Sequence, residues 1–220
     1  MFDLEGTLVK HTTRQSKIVE NAITQNGVTL SVNIEENYSL RSLPEYHPAK
    51  GFIKKILELN GTKINEEEID KMVGTYKELR KNPEYLSDLQ YLFKGTKEML
   101  AKLKEKNIIC VLLTNANPEQ NNYLTEKFEI KKYFDLIVDD TSLLPEKPSP
   151  ARVNYILEKF SIASQESLIV DDSLAGIEAG KKAGARTCGV LTGNSTKEMF
   201  EEVGIDYILE SVKDLQDLFR

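Results

Sequence analysis

Ile108-Ile109-Cys110-Val111-Leu112-Leu113, followed at once by Thr114-Asn115-Ala116, decides the fold. Six apolar residues in a row, rich in β-branched types and closed by a polar pair, predict a strand buried on both faces. Upstream, TKEMLAKLKEKN (96–107) sets Met99, Leu100 and Leu103 on one side of a helix that Gly95-Thr96 opens. Downstream, LIV (136–138) and LIV (168–170) repeat the buried-strand pattern, and CGVL (188–191) is a weaker copy. Between them Val153, Ile156, Leu157 and Phe160 follow helical spacing behind Pro148-Ser149-Pro150. Ser195-x-x-Glu198 and Ser211-x-x-Asp214 predict two further helix starts. Strand and helix in alternation imply an α/β fold: a Rossmann-like parallel sheet with helices on both faces. Ligands of such sheets bind beyond the carboxyl ends of the strands.

Residues 12–93 read differently. Apolar positions recur at helical spacing at Ile18, Val19, Ala22 and Ile23, then at Phe52, Ile53, Ile56 and Leu57, then at Ile69, Met72, Val73 and Tyr76. Gly27 and Gly61 fall at expected helix ends, and Asn65-x-x-Glu68 marks a start. This predicts an inserted α-helical cap over 12–93, with the core formed by 1–11 plus 94–220. Tyr38, Tyr46, Tyr76, Tyr85 and Tyr91 gather in the insertion, and packing with the hydroxyl at the surface is their expected state.

The 220 residues carry a net charge of −6, with 40% hydrophobic and 29% charged residues. That profile fits a soluble globular protein and argues against nucleic acid as a partner. No apolar run approaches the roughly 20 residues of a membrane span, and no secretory leader opens the chain. The expectation is a cytoplasmic protein, monomeric or a small homo-oligomer, without membrane contact. Cys110 and Cys188 sit in apolar stretches and read as buried thiols rather than a disulfide. His11 and His47 have no metal-ligand spacing with them, so zinc is not expected.

Four polar stretches fall at predicted strand ends or helix starts: FDLEGT (2–7), LLTNA (112–116), PEKPSP (145–150) and LIVDDS (168–173). A parallel sheet gathers them on one edge. Asp3, Glu5, Asp171 and Asp172 then share a crevice with Lys147 and the Thr114 hydroxyl. Clustered carboxylates repel unless a cation or a proton intervenes, and Mg²⁺ commonly uses one or two carboxylates with phosphate oxygens. Lys147 and Thr114 supply charge and a hydrogen bond for a phosphate, and Gly6 allows close backbone approach. A carboxylate can serve as nucleophile, and a second can move the proton. Each stretch alone is also a common turn, cap or surface feature; their order and placement carry the inference.

That order resembles the haloacid dehalogenase-like hydrolase superfamily. FDLEGTLV is similar to its Asp-x-Asp-Gly-Thr-Leu motif, LLTNA to the second, Lys147 of EKPSP to the third, and VDDSLAGIEAGKKAG to the fourth. The insertion point resembles the helical-cap branch that includes phosphoglycolate phosphatases and β-phosphoglucomutases. The resemblance implies Asp3 as nucleophile and metal ligand, and Glu5 as general acid/base whose carbonyl binds the metal. It implies Gly6, Thr114, Asn115 and Lys147 around the phosphate, and Asp172, helped by Asp171, as further Mg²⁺ ligands. Two departures stand out: Glu5 replaces the usual Asp, as in enolase-phosphatases, and only Met1 and Phe2 precede Asp3 where the family has a strand of about five residues. That strand is therefore either very short or continues upstream of Met1.

The expected function is Mg²⁺-dependent hydrolysis of a small phosphorylated metabolite through an aspartyl-phosphate, with the cap selecting the substrate. A phosphomutase, or a phosphate-binding protein with lost catalysis, are the alternatives. A dehalogenase needs no metal and would leave Asp171-Asp172 without a purpose. Arg41, Lys50 and Lys54 are candidates for an anionic substrate, though solvated charge is their commoner state.

Overall fold

Side chains alternate between the two faces of a strand, and that alternation sorts the core. Cys110 and Leu112 join one apolar cluster with Val170, Cys188 and Val190. Val111 and Leu113 join another with Val138 and Ile169. Both faces of the strand at Val111–Leu113 are dry, so its apolar run is continuous rather than alternating; Leu136 and Ile137 of the neighbouring run are only half-buried. The structure, a computed structural model, describes residues 1–43, 45–46 and 48–219; His47 lies outside them.

A short strand β1 (Val9–Lys10) pairs antiparallel with β2 (Tyr91–Leu92). The parallel strands are β3 (Val111–Leu113), β4 (Leu136–Val138), β5 (Leu168–Asp171), β6 (Arg186–Val190) and β7 (Tyr207–Leu209). β3 pairs with β4, with Leu112 opposite Ile137. β5 pairs with β6, and β6 with β7. Phe2 joins the two groups by parallel bridges to Leu112 and Val170. Its N–H donates to Val111 O at 2.8 Å, and the Asp3 N–H donates to Val170 O at 3.0 Å. The opening segment is thus central in the sheet and short.

Helices lie against both faces. Met99, Leu100 and Leu103 of a helix at Thr96–Glu105 pack with Val212 and Leu215 of the 3₁₀ helix Val212–Phe219. On the other face, Val153 and Ile156 come from Ala151–Phe160 and Ala179 from Leu174–Lys182. Both cysteines are buried free thiols. No helix among the described residues is long and apolar enough to cross a membrane.

The chain divides into two compact units, Met1–Lys10 with Tyr91–Arg220, and His11–Gln90. The second is helical: Thr12–Thr24, Ala49–Leu59 and Glu66–Lys81 bury Ile18, Ile23, Phe52, Ile56, Ile69 and Met72 together. Asn65 Oδ1 accepts from Glu68 N at 3.0 Å, and Glu68 Oε2 accepts from Asn65 N at 3.1 Å. Such a capping box offsets two orphan donors, worth about 1 kcal/mol. Tyr38 and Tyr76 are buried in this core, Tyr38 edge-on to Phe52, whereas Tyr91 of the first unit is exposed. Lys50 pairs with Glu66 and Asp70, and Lys54 with Glu66, all on exposed side chains. Arg41 lies over the Phe52 ring at 5.4 Å.

Two boundaries differ from the sequence reading. Regular pairing begins at Val111, not Ile108, because the Ile108 N–H donates to Leu103 O at the end of the preceding helix and the Cys110 N–H donates to the Asp135 carboxylate. The helix Lys197–Val203 is capped by Thr196 rather than Ser195. The Ser195 N–H donates instead to Asp172 O at 3.2 Å, tying that loop to the end of β5.

Candidate active site

Parallel strands bring their carboxyl ends to one edge. Asp3 follows Phe2, Thr114-Asn115 follows β3, Asp171-Asp172 closes β5, and Leu191–Asn194 follows β6. Asp3, Thr114, Lys147, Asp171 and Asp172 are all buried. Lys147 spends its three ammonium protons inside. Nζ donates to Asp3 Oδ1 at 2.6 Å, to Asp171 Oδ2 at 2.8 Å and to Leu113 O at 3.2 Å. The second Asp171 oxygen accepts from the Ser173 N–H (2.9 Å) and hydroxyl (2.6 Å). Asp172 accepts from the Thr7 hydroxyl at 3.2 Å and from the Asn194 N–H at 3.1 Å.

Among the described residues, Asp3, Asp171 and Asp172 each offer a carboxylate oxygen, and these atoms lie within 4.8 Å of one another. One ammonium faces three buried carboxylates. Burial pushes the Asp3 carboxyl up to about 7 although the Lys147 charge opposes it. Burial first, then the charges of Asp171 and Asp3, push Asp172 well above the carboxylate range. Burial lowers Lys147, but the two carboxylates outweigh it and hold the ammonium strongly protonated. The pocket is short of positive charge, and an all-oxygen donor set suits a hard divalent cation such as Mg²⁺. Asp3, Asp171 and Asp172 fit that ion.

Glu5 is half-buried and stands outside this three-carboxylate group, although its charge is felt at Asp3. Gly6 has φ +99°, a conformation that favours glycine. Its N–H donates to Val9 O at 2.8 Å within the turn. Gly6 chiefly supplies room, since a Cβ there would lie 2.4 Å from the Asp172 carboxylate. The Thr114 hydroxyl accepts from the Ala116 N–H at 3.1 Å, so its own proton can go to a ligand. Asn115 clasps the Lys147 peptide: its Oδ1 accepts from Lys147 N and its Nδ2 donates to Lys147 O, both at 3.1 Å.

Sequence reasoning missed Thr7, Ser173, Arg152 and the Thr192-Gly193-Asn194 turn. Ser173 was legible as a helix cap, and its Oγ does accept from the Gly176 N–H. The LTGNS turn after β6 is one more polar strand end of the kind used to find the others. A Cβ on Gly193 would fall 1.8 Å from Asp172 Oδ2. Gly193→Ala should therefore displace that carboxylate and cost about 1–3 kcal/mol, as overpacking does. A thermal melt checks it, and an unchanged Tm overturns it.

The model of the haloacid dehalogenase-like hydrolase family matches residues 1–190. Among solved structures, one described as a predicted phosphoglycolate phosphatase from Haemophilus somnus 129pt superposes with a TM-score of 0.81 at 21% identity, covering 100% of this chain and 96% of that one. A protein provisionally assigned as a beta-phosphoglucomutase from Thermotoga maritima gives 0.73 at 21% identity, covering 99% and 96%. A predicted phosphatase from Clostridium acetobutylicum gives 0.74 at 21% identity, covering 99% and 95%. At this identity the likeness speaks to the fold.

Proposed function

The chain belongs to the haloacid dehalogenase-like hydrolases, and from that premise we propose that it is a Mg²⁺-dependent phosphomonoesterase acting on a small phosphorylated metabolite. The observation that carries this reading is the Lys147 ammonium ion-paired to both Asp3 and Asp171, with Asp172 within 4.8 Å of them. Asp3, Asp171 and Asp172 would hold the ion, together with the Glu5 carbonyl. When bound, Mg²⁺ supplies positive charge that lets an anionic carboxylate meet an anionic phosphate.

The chain's own groups carry the steps. Asp3 attacks phosphorus in line, the bond to the leaving oxygen breaks, and an aspartyl-phosphate forms. Glu5 gives its proton to the leaving alcohol, then takes one from the water that attacks phosphorus and frees Asp3. The Thr114 hydroxyl donates to one phosphoryl oxygen, and Lys147 reaches another by exchanging one of its three present acceptors for it. The insertion, read as residues 12–93 against a core of 1–11 plus 94–220, is the proposed substrate-selecting cap. The expected setting is the cytoplasm, with neither membrane nor nucleic acid as partner. A phosphomutase would use the same residues, and the beta-phosphoglucomutase assignment of the Thermotoga protein keeps that reading in view.

An aryl phosphate should be hydrolysed only with Mg²⁺ present, and EDTA should abolish turnover; activity that survives EDTA overturns the proposal. A hexose phosphate isomerised faster than it releases phosphate decides for the mutase. Mg²⁺ should also raise Tm, and more at pH 8 than at pH 6. A carboxyl whose folded pKa is raised takes up a proton on folding, so its contribution is present at low pH and lost as pH rises through about 7. Above that pH the repulsion is fully expressed, and a cation relieves most.

A further inference from the structure

Arg152 lies on the first turn of Ala151–Phe160 and is 3% exposed. A guanidinium there is unfavourable twice: it leaves water, and it sits at the helix end where the backbone dipole repels cations. Among the described residues no carboxylate pairs with it. Nε donates to Leu144 O at 3.1 Å, Nη1 donates to Thr114 O at 3.0 Å, and Nη1 lies 3.5 Å from Asn115 Oδ1. These acceptors belong to the two segments that carry Thr114, Asn115 and Lys147. Asn115 in turn clasps the Lys147 peptide on both sides.

We propose that Arg152 is a positioning residue: it fixes the turn after β3 against the loop before Lys147, so that the Thr114 hydroxyl and the Lys147 ammonium meet one phosphoryl group. Its charge, met only by neutral oxygens, is balanced when that dianion binds. The inference rests on the reading of this edge as the phosphate site. Asp171 and Asp172 are also held by Ser173, Thr7 and Asn194, and the Asp3 backbone by Val170 O, none of which Arg152 touches. Losing Arg152 should therefore weaken anion binding and spare the metal.

The test compares wild type with Arg152→Met, Arg152→Gln and Arg152→Lys. The readouts are aryl phosphate kinetics, inhibition by inorganic phosphate, Mg²⁺ half-saturation and Tm. Arg152→Met and Arg152→Gln should raise KM and the phosphate inhibition constant about tenfold or more, with Mg²⁺ half-saturation within about twofold. Arg152→Lys, which keeps the charge but not the planar fork, should recover part of the phosphate affinity. A merely structural role lowers Tm and leaves the phosphate constants alone. Unchanged phosphate inhibition in folded Arg152→Met or Arg152→Gln overturns the proposal, as does an equal loss of Mg²⁺ affinity. If Arg152→Met fails to fold, Arg152→Gln and Arg152→Lys carry the same comparison. If wild type itself neither turns over nor binds phosphate, the phosphatase reading falls with it; if wild type does both and the variants match it, this inference alone falls.

Discussion

Asp3→Asn should lower kcat by about 10⁴-fold or more, the scale seen when a nucleophile is removed, and leave the protein folded. An amide is nearly the shape of a carboxylate but cannot form an acyl phosphate. The backbone at this position is held independently, since the Asp3 N–H donates to Val170 O. Its side-chain oxygen can still accept from Lys147 Nζ, which lies 2.6 Å away. Removing one of three clustered carboxylates also lowers repulsion, so Tm without metal should hold or rise. Aryl phosphate hydrolysis at saturating Mg²⁺, with a melt of the same sample, checks both. Turnover within tenfold of wild type would show that Asp3 is not the attacking group.

Lys147→Met should be the most damaging single change to the metal-free fold. The substitution keeps the buried stem and removes the charge that both Asp3 and Asp171 contact. Breaking a buried ion pair from one side typically costs about 3–5 kcal/mol, because the other charge stays buried without compensation. For a chain of this size that is a fall in Tm of roughly 10 °C. The loss should be greatest above pH 7. Asp3 titrates near 7 with Lys147 in place, and losing the ammonium moves it higher still, so protonation relieves the repulsion at low pH. Phosphate hydrolysis should also disappear, on the proposed reading of Lys147 as a phosphate contact. Urea unfolding at pH 5.5 and pH 8 tests the claim; equal, small losses at both would sink it.

The wider lesson lies in which residues were readable. The runs at 108–113 and 168–170 announced buried inner strands, because a central parallel strand has no wet side to mark with polar residues. The run at 136–138 looks the same, yet among the described residues β4 pairs only with β3 and buries Val138 alone. Thr114 and Asp171 could be found because polar residues that close such a run stand at the sheet edge. Thr7 carried no comparable signal, whereas Asn194 stands in the polar stretch that follows β6. Their contact with Asp172 depends on two turns far apart in sequence meeting at one carboxylate. Ser195 misled by one residue, since its backbone is used by Asp172 while Thr196 caps the helix.

The amino-acid order by itself determined the parallel α/β class, the helical character of the inserted segment and the four stretches that converge, because periodicity and strand-end chemistry are local properties. Only the tertiary structure decided that Lys147 bridges Asp3 and Asp171, that glycine must stand beside Asp172, and that a buried Arg152 joins the turn after β3 to the loop before Lys147. Those facts depend on distances between residues up to 166 positions apart (Gly6 and Asp172, which leave no room for a Cβ between them), and no local pattern encodes them.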